Sequence, residues 1–181
     1  IIEVYSLNVL FVGGIVLLAL RWARAEEGRS LSLLAAALLW GLGLGNHLTL
    51  GLLVIPLAYL LASRYRRLSA GLITGLLGML FLGLSVYLYL PLRAAQNPAI
   101  NWGDASSLTG FIWNVSAVPY RQLAFGTPPA DLFSRSVEWT DLLVRQFNVL
   151  GLFLGLLGVW RLRVSNMSTL VLSGLLFVAL L

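Results

Sequence analysis

From Leu31 to Ala62 the chain has no Arg, Lys, Asp or Glu, a stretch of thirty-two residues. As one helix it would be roughly 48 Å long, against a bilayer hydrocarbon core of about 30 Å. The run is therefore too long for a single upright span. The place to break it is Gly41 to His47, GLGLGNH, where helix-weakening glycines meet the adjacent polar pair Asn46 and His47. Composition says the same of the whole chain: 59% of residues are hydrophobic and 10% charged, with a mean hydropathy of +0.91. Soluble domains carry about a quarter charged residues. The fold class read from these features is all-α, a polytopic membrane helix bundle.

Charge fixes the orientation. All twelve basic residues are arginines, and the formal net charge is +5. They lie in short clusters between apolar runs, a topology signal that excludes nucleic acid as the partner. RWARAEEGR, Arg21 to Arg29, precedes the long run and SRYRR, Ser63 to Arg67, follows it. A hairpin broken near His47 returns both clusters to one side, the cytoplasm by the positive-inside rule, whereas a single span would separate them. The expected spans are about 4–20, 31–45, 48–62, 68–90, 146–160 and 167–181, six in all, with an outer loop over 91–145.

Within that loop Leu108, Phe111, Ile112 and Val115 recur at helical spacing, so a short surface helix is expected, capped by Asp104 or Ser106. TPPAD, Thr127 to Asp131, reads as a breaker and a second helix start. Both chain ends look cut from a longer protein, and no signal peptide is visible. Cys is absent and His single, which excludes disulfides and a Cys- or His-based zinc site on ligand count.

The densest set of hydrogen-bonding groups is PLRAAQNPAINWGD, Pro91 to Asp104. Arg93 follows an apolar span directly, and a guanidinium there can grip two phosphate oxygens; its rival role is anchoring at the headgroups. Asn97, Asn101, Trp102 and Asp104 would shape a polar pocket, although Asp104 can equally cap the following helix. The outer ends of the other helices bring Glu3, Tyr5, Asn46 and His47 to the same face. His47 can bond a substrate or shuttle a proton, or simply satisfy a helix end. Glu3 is a candidate base or metal ligand, and a carboxylate at a helix start is also what dipole capping predicts. Trp102, Trp113 and Tyr120 fit sugar stacking and the interfacial aromatic belt alike. The pairs Gly71/Gly75, Gly41/Gly45 and Gly151/Gly155 read as close helix packing. Asn114-Val-Ser116 is a glycosylation sequon that matters only in a eukaryotic secretory compartment.

At EVYSLN (Glu3 to Asn8), GLGLGNHLT (Gly41 to Thr49) and LPLRAAQNPAINWGD (Leu90 to Asp104) the chain resembles one membrane family. These are the bacterial and eukaryotic proteins once catalogued as a domain of unknown function and now grouped with GT-C glycosyltransferases, among them the animal transmembrane O-mannosyltransferase of plexin IPT domains. The motifs keep the family's order, and the similarity runs over most of the chain. The stretch NVSAVPYRQLAFG departs from it, since Tyr120 precedes Arg121.

The resemblance implies a GT-C-like enzyme that moves a sugar, such as mannose, from a polyprenyl-phosphate carrier to an acceptor protein or glycan on the outer side. It implies Arg93, His47 and Asn46 at the donor phosphate, and Tyr5, Asn97, Asn101, Trp102, Asp104, Tyr120 and Arg121 around the substrates. The catalytic carboxylate is expected upstream of Ile1, with Glu3 as the weaker candidate inside the chain. No cofactor is fixed by the residues, and a divalent metal stays open. The membrane would be the bacterial inner membrane, or that of the endoplasmic reticulum in a eukaryote. The alternative is a transporter or flippase for a lipid-linked or polar solute; it calls for a repeat of the broken helix, and no second copy is visible.

Overall fold

The computed structural model describes residues 2–25, 30–120 and 128–180. Every regular element among them is helical, and the chain is an all-α membrane helix bundle. It divides into two compact units, one made of residues up to Ser116 with the tail of the last helix from Leu175, the other of Ala117–Gly174.

In the first unit α1 (Ile2–Arg24) and α2 (Ser30–Asn46) pack side by side, and α2 packs also on α4 (Ala70–Leu84). Between them a 3-10 segment, Leu48–Leu53, leads into α3 (Val54–Ser63). In lipid the hydrophobic effect does not press helices together, so close packing must do so. Here the means is glycine. A Cβ added at Gly83 would lie 2.5 Å from Leu38 O and 2.8 Å from Gly41 Cα, so α2 and α4 touch backbone to backbone. Gly45 meets Val86 and Gly75 meets Leu34, whereas Gly71 and Gly155 have open space and Gly151 sees only Phe147 of its own helix. The α2–α4 seam thus uses one member or both of two expected pairs, plus Gly83, which belongs to none. Ile15, Leu50 and Leu53 form the buried centre, with Phe11, Leu39 and Trp40 around it.

The run 31–62 leaves helical geometry at His47, whose backbone is extended at φ −153°, ψ 124°. Two side-chain bonds hold this break. The Trp40 indole donates to Leu50 O at 2.8 Å, bridging the two arms, and the Tyr87 hydroxyl donates to Leu44 O at 2.6 Å. The carbonyls in the last turn of an α-helix lack intrahelical donors, so Tyr87 supplies a partner that lipid cannot.

The next rod is helical through residues 70–94: α4, a 3-10 turn Ser85–Leu88, and α5 (Tyr89–Ala94). It passes beyond Pro91, where a loop was expected to open. Proline lacks an N–H and crowds the carbonyl four residues earlier, here Tyr87; the tightened turn at Ser85–Leu88 accommodates it and the helix continues. Asn97, at φ 47°, then ends the rod in the left-handed conformation that asparagine tolerates. The short helix α6 (Leu108–Val115) is capped by Ser107, whose hydroxyl accepts from Gly110 N. The cap is neither Asp104 nor Ser106, because Asp104 is spent on the turn before it.

The second unit contains α7 (Leu132–Ser165) and most of α8 (Met167–Leu180). Helix α7 starts directly after the Pro129–Asp131 turn, inside the stretch expected as outer loop, and kinks at Asn148 (φ 57°, ψ 168°). Among the described residues three helical stretches, Tyr5–Arg24, Ala70–Ala94 and Phe133–Ser165, are long and apolar enough to cross a membrane; Ser30–Asn46, Leu48–Ser63 and Met167–Leu180 are shorter apolar helices.

Candidate functional site

The first unit has two polar ends. At one, Arg67 from the segment after α3 reaches the last carbonyls of α1, donating to Ala25 O at 2.7 Å and Trp22 O at 3.4 Å. At the other lie the N-terminal turns of α1, the His47 break and the end of the α4–α5 rod. The chain between these ends is apolar. A cavity of about 260 Å³ within it, bounded by α1 to α4 and lined by residues such as Ala19, Trp40, Leu57 and Leu80, offers no group for chemistry.

His47 is the best-defined member of the second end. Its Nδ1 accepts from Thr49 N at 3.4 Å and stands 2.7 Å from the Thr49 hydroxyl. A ring nitrogen that accepts leaves the proton of the neutral imidazole on Nε2, which becomes the donor. The Tyr5 ring, exposed at the start of α1, lies 6.2 Å from the imidazole, centroid to centroid. Asn46 is the last residue of α2 and partly buried. Glu3 lies in the first turn of α1, and its side chain is outside the described part.

Arg93 belongs to the same end. Val86 packs against Gly45, one residue before Asn46, and Arg93 follows seven residues later, roughly 10 Å along the rod. It sits in the last turn of α5, where a cation also complements the helix dipole. Its guanidinium is exposed and donates to Gln96 Oε1 at 2.9 Å, leaving further donors on a group that has five.

The turn that follows is organised by Asp104. Its Oδ1 accepts from the Ser106 hydroxyl at 2.6 Å, the Asn101 amide at 3.0 Å and Ser106 N at 3.4 Å. The Ser106 bonds, with a smaller share from Asn101, hold this carboxyl below its ordinary pKa. Asp104 is thus a settled anion that buttresses the turn, a poor choice for a base that must take a proton. Gly103 at φ 65° lies so close to Trp113 that a side chain would not fit. Trp102 and Asn97 are exposed; the Trp102 carbonyl accepts from Asn114 Nδ2 at 2.9 Å. The same amide reaches Gly110 O, so the nitrogen of the sequon is engaged within the fold.

Tyr120 is exposed in the second unit, and Arg121 lies outside the described residues. Among the described residues no three His, Asp or Glu side chains assemble as a metal site. The structure therefore joins Tyr5 with His47, and Asn101 with Asp104. Sequence reading missed Trp40, Tyr87, Thr49 and Gln96. The signal for the first two was present: an indole or phenol inside an apolar run must find an acceptor.

Residues 2–69 match the family model described as the protein O-mannosyl-transferase TMEM260 N-terminal domain. The chain is 29% identical over 182 residues to protein O-mannosyl-transferase tmem260 of Dictyostelium discoideum, covering 88% of this chain and 22% of that protein. It is 34% identical over 116 residues to protein O-mannosyl-transferase TMEM260 of Mus musculus, covering 61% of this chain and 16% of that protein. The chain thus spans 22% and 16% of the lengths of these two relatives. No solved structure matches it significantly.

Proposed function

We propose, from the match of residues 2–69 to the TMEM260 N-terminal domain, that this chain is part of a membrane glycosyltransferase of GT-C type. It takes a sugar from a polyprenyl-phosphate carrier and transfers it to a protein hydroxyl on the extracytoplasmic side. The observation that supports this most is the His47 end: an irregular backbone at the end of an apolar bundle, with an oriented imidazole and an exposed guanidinium on neighbouring elements. Such a break is tolerated in a membrane protein only where it is buried or lines a wet cavity.

In this scheme the acceptor oxygen attacks the anomeric carbon as the bond to the carrier phosphate breaks. The departing polyprenyl phosphate keeps the electron pair, and a carboxylate elsewhere in the whole protein takes the hydroxyl proton. Single displacement inverts the anomeric configuration. Arg93 meets the phosphate oxygens as negative charge grows on them, and His47 Nε2–H with the Asn46 amide adds neutral donors. Asn97, Asn101, Trp102 and Asp104 shape the sugar side of the pocket, with Tyr5 beside His47.

The test is transfer of radiolabelled mannose from polyprenyl-phosphate-mannose, then of sugars from other carriers, by membranes holding the whole protein or its Arg93→Ala variant. The expected result is transfer by the parent and a fall of about a hundredfold or more in the variant. Unchanged transfer would reduce Arg93 to a headgroup anchor. Absence of transfer from every carrier would favour a transporter, a reading that rests on the same broken hairpin.

A further inference from the structure

Asn8 takes no part in the displacement at the anomeric carbon. It lies on the stripe of α1 that carries Phe11, Val12, Ile15, Ala19 and Trp22, spaced three or four residues apart and buried or partly buried. Its Oδ1 is sequestered from solvent without a hydrogen-bond partner, and among the described residues no other buried side-chain oxygen or nitrogen is left so. A buried acceptor without a donor is costly, and in a bilayer lipid cannot supply one.

Its position follows from its neighbours. One turn earlier, Tyr5 places its ring 6.2 Å from that of His47; one turn later, Phe11 packs on Gly43. Since α1 and α2 run antiparallel, Asn8 comes against the last turn of α2, between Gly43 and His47, at the level where the helix opens. The orphan atom also states what it needs. An amide oxygen only accepts, so it calls for an O–H or N–H. A phosphodiester anion has neither, whereas a sugar is covered in hydroxyls. Arg93 is the converse, with donors and no acceptor.

We infer that Asn8 accepts a hydrogen bond from one hydroxyl of the carrier-bound sugar, making it a specificity-determining residue that reads the sugar while Arg93 holds the phosphate. The inference rests on the transferase reading. It adds α1 to the sugar side of the site, while Arg93 in the last turn of α5 faces the phosphate.

The experiment is a cycle of protein and donor changes. Polyprenyl-phosphate-mannose and its single-deoxy analogues are assayed with the whole protein, with Asn8→Leu and with Asn8→Ala. The ratio of rates for deoxy and complete donor within one preparation does not depend on how much protein folds, so a poorly folding variant still reports. In the parent one deoxy position is expected to lower kcat/KM by roughly ten- to a hundredfold, because the amide loses its partner. In both variants that same position should cost less than about twofold, while penalties at other positions persist. An undiminished penalty at every position in the variants would overturn the role of Asn8 and assign its amide to a water or to another helix of the whole protein. Failure of the parent to transfer any sugar would overturn the transferase reading, and this inference with it.

Discussion

At the Arg67 end of the first unit the protein closes its own helix ends, whereas at the His47 end it leaves polar groups turned to one another and to the outside. Arg67 caps α1 through two carbonyls, and Ser69 caps α4 by accepting from Leu72 N. At the far end α2 stops in extended backbone, its carbonyl at Leu44 needs a phenol from another element, and Asn8 Oδ1 has no donor at all. Both ends face the same difficulty, unsatisfied backbone at the edge of a bilayer. One resolves it for stability and the other resolves it only in part. The proposed placement of the substrate at the His47 end rests on this difference, since groups satisfied by the fold have nothing left to offer a ligand.

The contrast would break most completely by opening the seam that fixes both ends. Gly83→Leu places a side chain against the α2 backbone and is expected to cost about 3 kcal/mol or more, enough to remove folded, detergent-extractable protein. Gly155→Leu, a change at a site with open space, is the control and should extract normally.

A finer test removes one support of the break. Tyr87→Phe leaves the Leu44 carbonyl without its partner and is expected to cost about 1–2 kcal/mol, read as a lower unfolding temperature in detergent. It should also slow transfer, because the His47 segment loses its anchor. At the opposite end Arg67→Ala is expected to cost about 1 kcal/mol and to leave transfer unchanged. Equal effects of the two changes on transfer would erase the functional difference between the ends.

The smallest expected effect is electrostatic. The folded pKa of Asp104 is lowered, so its contribution to stability is complete above the unfolded carboxylate value of about 3.9 and is lost as pH falls through the lower folded value. An NMR titration of the Asp104 carboxyl carbon should show a midpoint below about 3.9, moving up toward it in Ser106→Ala. A midpoint above it would make Asp104 available as a base and redraw the site.

Much of the architecture was legible because its cause is local. A bilayer demands apolar runs of set length, and the runs around Val4, Leu31, Leu68 and Met167 could be read directly as helices. GLGLGNH was legible as a weak point for the same reason, glycines and a polar pair standing where hydrocarbon should continue. The helix carries on past Pro91 to Arg93 and Ala94, and only the tightened turn before the proline shows how. The cap of α6 misled by one residue, since Asp104 and Ser106 satisfy each other and leave the work to Ser107.

The sequence by itself determined that this is a helical membrane protein, which segments are apolar, and that polar groups gather in a few short stretches. Only the tertiary structure decided that Gly41 meets Gly83, that Tyr87 and Trp40 hold the break at His47, and that Tyr5 stands beside His47 while Asn8 lacks a donor. The reason is physical. Hydropathy and backbone propensity act over a few neighbouring residues, whereas the partner of a buried hydroxyl or amide is set by which helix lies across the seam, forty residues or more away along the chain in the case of Tyr87 and Leu44.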